Sequence, residues 1–308
     1  MMLKSPSRAA TTLLLGMVLF VAATVFAQLI TGGVNYGVHC FFVPLRDDDG
    51  NFLPGIGGED DGVKGGLNGI DNGRLHFSQV RVPRTHLLNR YGSVDENGVY
   101  TSPITSPGRR FFTMLGTLVG GRIAVASGGL SAAKSALTIA VRYGARRRQF
   151  GRKDRAEMPV LDYLSHQRRL LPLVATCYAL NCALHDLAAR YGRTPDGDDV
   201  REIEAEAAAL KAMSTTHATR AIQEAREACG GEGYRAENRF ALLKADSDIF
   251  TTFEGDNTVL RLQAAKSLMS GYQEEFSNLD FFGLLGKLAE RVDVRVGEMN
   301  PIRRHQHD

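Results

Sequence analysis

The spacing of apolar residues divides the chain into a strand-rich first part and a helix-rich remainder. Two apolar, β-prone runs, Thr24–Ile30 and Val38–Leu45, are separated by the Gly/Asn turn Gly32–Asn35, which predicts two joined strands. Short apolar runs then continue among Gly, Asn and Asp residues up to about Pro107. This pattern predicts part of a β-domain.

Beyond Pro107 the composition shifts to Ala, Leu, Arg and Glu, and apolar residues recur at the spacing of one helix face. Asp256 or Asn257 is the expected N-cap of the last helix, and Gly192–Asp199 is a polar loop. The fold class is therefore α+β, with a partial β-domain followed by an antiparallel helical bundle. The predicted helices are Gly121–Arg147, Val160–Tyr191, Val200–Ala228 and Asn257–Met269.

The N-terminal segment Ala9–Val34 carries no ionisable side chain and follows two basic residues. This outline is typical of a secretory signal peptide, and its length also suits a membrane anchor. A third interpretation limits the extra segment to residues 1–22 and makes Thr24–Ile30 a strand of the folded protein. The paired run that follows favours the third interpretation.

Composition and charge are those of an ordinary globular protein. At 308 residues the chain can bury a large core, and two domains are expected. The net charge of +3 argues against nucleic acid or a general membrane surface as a partner. No cysteine pair has CxxC or metal-ligand spacing, so buried, reduced thiols are expected at Cys40, Cys177, Cys182 and Cys229.

The first of three motifs, Tyr143–Gly151 (YGARRRQFG), ends the first long predicted helix. Arginines in a last turn offset the helix dipole, and Gly151 is placed to terminate the helix, so no ligand is required. Alternatively, Arg147 presents a planar fork to phosphate oxygens while Gln149 and Phe150 hold a base or ribose. The residues alone favour the first interpretation.

The second motif, Cys229–Tyr234 (CGGEGY), follows the third predicted helix. Its glycines let the chain turn sharply and let backbone amides approach an anionic ligand. A glycine-rich helix end is common, however. The motif is not a dinucleotide fingerprint, because the helix precedes the glycines.

The third motif is Thr251–Thr258 (TTFEGDNT), in which Glu254 stands between Phe253 and Gly255. A carboxylate here is explained simply as a helix cap. Since Asp256 or Asn257 serves better as the cap, Glu254 is available for another role. Its neighbours are expected to place it in a dry pocket with room for a substrate, where a carboxylate becomes a stronger base.

Together and in this order, the motifs resemble the acyl-CoA dehydrogenase and oxidase superfamily, and in detail the bacterial-type acyl-CoA oxidases. The resemblance extends over about residues 23–272. Besides the three motifs, it rests on TVFAQLI at Thr24–Ile30, GVHCFFVPL at Gly37–Leu45, KGGLNGIDN at Lys64–Asn72, VRVPRTHLL at Val80–Leu88 and the phrase FTTFEGDNTVL at Phe250–Leu260.

The resemblance implies an FAD enzyme that oxidises fatty acyl-CoA to trans-2-enoyl-CoA and reduces O₂ to hydrogen peroxide. Glu254 matches the base that removes the α-proton, and Arg122 matches a substrate-side arginine. Residues that match those holding the adenosine half of FAD, usually from the neighbouring subunit of a homodimer, are Arg147, Gln149, Phe150, Gly230 and Gly231.

The resemblance also implies a division into residues 1–22 (an unmatched leader), 23–107 (β-domain), 108–272 (helical FAD- and acyl-CoA-binding domain) and 273–308 (the start of a further oxidase domain). Because this is about half of a family member, we expect impaired activity. Two alternatives stay open: a dehydrogenase that passes electrons to an electron-transfer flavoprotein, and a non-catalytic remnant. The expected compartment is the cytoplasm for a bacterial source and the peroxisome for a eukaryotic one.

Overall fold

The first part of the chain forms three small antiparallel sheets. The computed structural model describes residues 21–70, 72–116, 118–151, 153–194 and 201–277. Strands β1 (Ala22–Thr31) and β2 (Val34–Pro44) form a hairpin that turns at Gly32 and Gly33, both with positive φ. The other pairs are β3 (Ile56–Asp60) with β4 (Gly73–Phe77), and β5 (Ser93–Val94) with β6 (Tyr100–Thr101).

The hairpin confirms the prediction of two joined strands. Its buried side chains form an apolar cluster with residues from the loops that follow, including Leu29, Phe41, Val43, Val80 and Leu87. Because Thr24–Ile30 lies inside β1, the third interpretation of the N-terminal segment is confirmed for that run. Of the segment Ala9–Val34, to which the signal-peptide and anchor interpretations apply, residues 9–20 lie outside the described residues.

Six helices follow in the described residues: α1 (Pro107–Leu115), α2 (Leu118–Arg146), α3 (Leu164–Arg193), α4 (Arg201–Ala228), α5 (Phe240–Asp248) and α6 (Asn257–Ser277). The four predicted helices correspond to α2, α3, α4 and α6. The stretch Val160–Asp162 is a separate 3-10 turn before α3, and α1 and α5 were not predicted. Helix α2 ends at Arg146, so Gly151 does not terminate it.

The three long helices α2, α3 and α4 alternate in direction. Gly144, near the end of α2, packs against His166 at the start of α3. Gly120, at the start of α2, packs against Tyr191 at the end of α3. Arg169, near the start of α3, is ion-paired with Glu224, near the end of α4. Helices α2 and α4 are therefore parallel, and their C-terminal ends lie at the same end of the bundle. Their shared core includes Leu130, Leu137, Leu173, Leu187 and Ile222.

Arg110 and the Lys64–Asn72 segment both join the strand-rich part to the helical part. The buried guanidinium of Arg110 on α1 donates to the carbonyl oxygens of Ile104 (2.9 Å) and Tyr36. In the Lys64–Asn72 segment, Leu67 donates its N–H to Asp246 Oδ1 at 2.7 Å. Neighbouring Gly66 lies so close to α5 that a Cβ would sit 2.1 Å from the Ala245 carbonyl oxygen.

The cysteine prediction is correct in chemistry and partly wrong in burial. All four cysteines are free; Cys177 and Cys229 are buried, Cys40 is half-buried and Cys182 is exposed. On α3 the residues Leu180 and Leu184 face the core. A residue two positions after Leu180 points about 200° away around the helix, which places Cys182 on the outer face.

Helices α2 and α3 are long and apolar enough to cross a membrane by length and composition alone. In the fold, however, apolar side chains of both helices pack into the shared core of the bundle. Of the apolar window in each helix, 44% is buried in α2 and 33% in α3, so burial in the core accounts for part of their hydropathy.

Candidate active site

Glu254 lies in a tight loop between α5 and α6. The backbone at Glu254 has φ +55° and that at Gly255 has φ +107°, so two successive left-handed residues turn the chain into α6. Asp256 Oδ1 accepts the N–H groups of Thr258 (2.8 Å) and Val259 (3.3 Å), which is the geometry of an N-cap. This confirms that Asp256 caps α6 and that Glu254 is not needed for capping.

The carboxylate of Glu254 lies against the backbone of α2 at Gly121. A Cβ at Gly121 would be 2.8 Å from Glu254 Oε2 and 2.9 Å from Oε1. The next residue is Arg122, whose pKa is lowered by burial and held up in part by the charges of Glu204 and Glu254. The structure thus brings the predicted base and the predicted substrate-side arginine together.

The loop around Glu254 is not the dry pocket that we expected. Glu254 and Gly255 are half-buried, and the side chain of Phe253 is 38% exposed. Phe253 stacks on Phe250 with ring centroids 5.2 Å apart instead of covering the carboxylate. Within the described residues, Glu254 therefore stays open to solvent on one side.

A buried polar network behind this loop was missed by the sequence analysis. Lys211 on α4 is fully buried, and its Nζ donates to the Gly255 carbonyl oxygen (2.6 Å) and to Asn257 Oδ1 (3.1 Å). Asn257 Nδ2 in turn donates to Thr215 Oγ1 at 2.9 Å and Thr216 Oγ1 at 3.1 Å. A lysine in a helix rich in Ala and Glu carries no sequence signal of burial.

Beside the loop is a groove of about 580 Å³ between α4 and the start of α6. Asp256 and Asn257 line it, so it adjoins the Glu254 loop directly. The groove presents three cationic side chains and several hydroxyl groups, the donor set that suits phosphate oxygens. These donors are Arg220, Lys244, Arg261, Thr216, Thr219 and Thr258.

The residues of the YGARRRQFG motif form an exposed hairpin beyond the end of α2. Gln149 N–H donates to the Met158 carbonyl and Met158 N–H to the Phe150 carbonyl, both at 3.0 Å. Phe150 has φ +59° and its ring is 69% exposed. Arg147 is also exposed, so its side chain is accessible to a ligand.

The CGGEGY motif is a short 3-10 turn, Gly230–Tyr234, directly after α4. Gly230 has φ +58°, and nothing lies within 4 Å of a Cβ built on Gly230 or Gly231. Gly233 has a different role, because its Cβ would meet the Arg226 carbonyl oxygen at 1.9 Å. The first two glycines are therefore open to approach, and the third is required for packing.

The predicted site residues fall into two groups at opposite ends of the bundle. Arg122 and Glu254 lie at the start of α2, whereas Arg147 lies just beyond its end. Arg147 is 25 positions after Arg122, and a helical rise of 1.5 Å per residue separates them by about 37 Å. Gly230 and Gly231, which follow α4, lie at the Arg147 end because α2 and α4 are parallel.

Comparison with known proteins identifies the family. The model of the acyl-CoA oxidase C-alpha1 domain matches residues 115–269, about half of the chain. The peroxisomal acyl-coenzyme A oxidase 2 of Arabidopsis thaliana is 43% identical over 290 residues, covering 91% of this chain and 42% of the relative. An acyl-coenzyme A oxidase-like protein of Mus musculus is 40% identical, covering 85% and 42%.

Solved structures of similar fold belong to the same family. An acyl-CoA oxidase from tomato, Lycopersicon esculentum, superposes with a TM-score of 0.76 at 34% identity, covering 88% of this chain and 43% of that one. Acyl-CoA oxidase-1 of Caenorhabditis elegans, complexed with FAD and ATP, gives 0.75 at 32% identity, covering 85% and 39%. The chain belongs to the acyl-CoA oxidase family, and it spans about two fifths of the length of these relatives.

Proposed function

We propose that this chain carries out, as part of an acyl-CoA oxidase, the FAD-dependent oxidation of fatty acyl-CoA to trans-2-enoyl-CoA with reduction of O₂ to hydrogen peroxide. The observation that supports this function best is the position of Glu254. Its carboxylate rests on the backbone of α2 at Gly121, is not used as a cap, and adjoins a groove lined by cations and hydroxyls.

Glu254 is the general base in this proposal and removes the α-proton of the acyl thioester. A positioned carboxylate can serve in this way because one side is open to substrate while the other is fixed by the protein. Arg122, the next residue to Gly121 on α2, keeps a positive charge near the carboxylate and is proposed to contact the substrate.

The groove beside Glu254 is the proposed place for the diphosphate of FAD. Three cations outnumber the carboxylate of Asp256 there, so the groove favours an anion. Arg220, Arg261 and Thr258 are proposed to hold the diphosphate. When bound, FAD supplies the acceptor for the hydride that leaves the β-carbon.

The second group of residues is proposed to hold the adenosine half of a cofactor in a neighbouring subunit of a homodimer. The separation of about 37 Å along α2 supports this, since 25 residues at 1.5 Å each is too far for one compact site. Arg147 and Gln149 would bind the phosphate and base, Phe150 would stack on a ring, and Gly230 and Gly231 would allow close approach.

The test compares Glu254→Gln with Glu237→Gln, a matched change at an exposed, ion-paired glutamate. Both are measured in the full chain with added FAD and palmitoyl-CoA, following peroxide formation in air and reduction of an artificial acceptor without oxygen. We expect Glu254→Gln to lower the rate by about 10²–10⁴-fold and Glu237→Gln to leave it unchanged.

The other outcomes separate the alternatives. Turnover with the artificial acceptor but no peroxide in air would indicate a dehydrogenase that uses an electron-transfer flavoprotein. A protein that neither binds FAD nor turns over would support a non-catalytic remnant. Equal rates in the two variants would remove Glu254 as the base.

The proposed place of action is the compartment of fatty acid β-oxidation. Several relatives are named as peroxisomal, from Arabidopsis thaliana and Homo sapiens, which supports the peroxisome for a eukaryotic source. For a bacterial source the cytoplasm is proposed. Localisation of a tagged full-length chain in its own cell tests this.

A further inference from the structure

Lys211 is a charged side chain enclosed in the bundle directly behind the loop that carries Glu254. The side chain is fully buried, with a relative solvent accessibility of 0%. A buried ammonium group is unfavourable unless its N–H groups are paired. Burial lowers the pKa of Lys211 to about 8, although the negative charges of Asp256 and Glu254 act to raise it. A buried lysine of this kind calls for a structural or functional reason.

Within the described residues, the ammonium group of Lys211 donates two hydrogen bonds, and both go to the segment that leads from Glu254 into α6. Lys211 Nζ donates to the carbonyl oxygen of Gly255 at 2.6 Å, one residue after Glu254. It also donates to Asn257 Oδ1 at 3.1 Å, and Asn257 is itself bonded to Thr215 and Thr216 on α4. The chain on the C-terminal side of Glu254 is therefore fastened to α4.

The backbone at this point requires such fastening. Glu254 adopts φ +55° and Gly255 φ +107°, and a non-glycine residue in the left-handed region persists only where its surroundings hold it. A Cβ on Gly255 would lie 2.8 Å from Leu260, so the turn is also closely packed. On the other side, the carboxylate of Glu254 abuts Gly121.

We propose that Lys211 is the positioning residue of Glu254: by holding the Gly255 carbonyl and Asn257, it fixes the turn that presses the carboxylate against α2. The inference rests on the proposed function in one respect, namely that Glu254 is the base. Lys211 itself contacts neither substrate nor cofactor in this assignment.

The test uses the full chain with Lys211→Met, which keeps the stem and removes the donors. The control is Ser214→Ala, also fully buried on α4, whose hydroxyl has no hydrogen-bond partner among the described residues. Lys211→Gln, whose amide is too short to reach Gly255, provides a second variant if the first does not fold. Amide hydrogen exchange over residues 252–260 and the kinetics with palmitoyl-CoA are measured.

We expect exchange in this segment to be at least about tenfold faster in Lys211→Met, since two hydrogen bonds to a charged group are lost. Exchange in α2 should stay unchanged. The kcat should fall by about 10²-fold, as expected for a base displaced by a fraction of an ångström to 1 Å, with KM for palmitoyl-CoA within about twofold.

Two results would overturn the inference. Equal loop exchange in Lys211→Met and Ser214→Ala would show that Lys211 does not hold the turn. Faster exchange with an unchanged kcat would show that the turn does not position the base. If the unmodified chain shows no turnover, the proposed function fails, whereas the exchange comparison still decides whether Lys211 fixes the loop.

Discussion

Replacing Gly121 by alanine tests the placement of Glu254, the proposed base, separately from the stability of the fold. A Cβ at this position would lie 2.8 Å from Glu254 Oε2, whereas ordinary van der Waals contact begins at 3.4 Å. The carboxylate must therefore move by 3.4 − 2.8 Å, about 0.6 Å. Because the contacting atoms are the end of a flexible side chain, this movement costs little in stability.

The same substitution favours the helix. Gly121 lies in the first turn of α2, where replacing glycine by alanine gains at most about 1 kcal/mol, the value for a helix interior. For a protein of this size that gain raises Tm by about 2–4 °C. Displacement of a catalytic group by up to 1 Å costs up to about 10²-fold in rate. We therefore expect Gly121→Ala to lower kcat by about 10- to 100-fold while Tm stays equal or rises.

The matched control is Gly120→Ala, one residue earlier on the same helix. Its Cβ would lie 3.5 Å from Tyr191, an ordinary contact, so helix propensity should rise without any effect on the base. The assay is acyl-CoA-dependent peroxide formation together with a thermal unfolding scan of both variants. If Gly121→Ala kept the activity of Gly120→Ala, the contact between Glu254 and α2 would have no part in placing the base.

Three further predictions concern stability. Arg110→Met should lower the free energy of unfolding by about 2–4 kcal/mol, because buried carbonyl groups lose a charged donor. The control Arg109→Met, at an exposed position, should change it by no more than about 0.5 kcal/mol. Urea unfolding of both variants checks this, and equal free energies of unfolding would contradict it. The folded-state pKa of Lys211 is about 8, below its ordinary value of 10.5, so its unfolded form binds the proton more tightly. Stability should then rise as the pH passes from 8 to 10.5, and urea unfolding at pH 7.5 and 9.5 should show a gain in the unmodified chain that Lys211→Met lacks. Burial also lowers the pKa of His39, His166 and His217 below the ordinary 6.5. The stability that their neutral rings contribute is therefore complete above pH 6.5 and is lost as the pH falls through the folded-state pKa values. A urea midpoint that stayed constant as the pH was lowered from 6.5 would contradict this.

The long helices were predictable because their apolar faces repeat over many turns, as the agreement of α2 and α4 with the predicted bounds shows. Helix α5 was missed because its nine residues include three charged ones and span too few turns to establish a period. Helix α1 is equally short.

At the candidate site, the sequence allowed Glu254 to be singled out because Asp256 was the better cap, and the hydrogen bonds of Asp256 confirm that argument. The burial of Lys211 could not be predicted, since it depends on α6 packing over α4 far along the chain. For the same reason the exposure of Phe253 was not foreseen. Both depend on tertiary contacts that no local pattern encodes.

The buried guanidinium of Arg110 affects the cooperativity of unfolding. Its hydrogen bonds reach from α1 to the carbonyl of Tyr36 in β2, across the change in composition near Pro107. Separating the β-strands from the helices would leave a positive charge without hydrogen-bond partners in an apolar environment. Calorimetry should accordingly record one cooperative melting event for the strands and the bundle, even though composition alone suggests two separable modules.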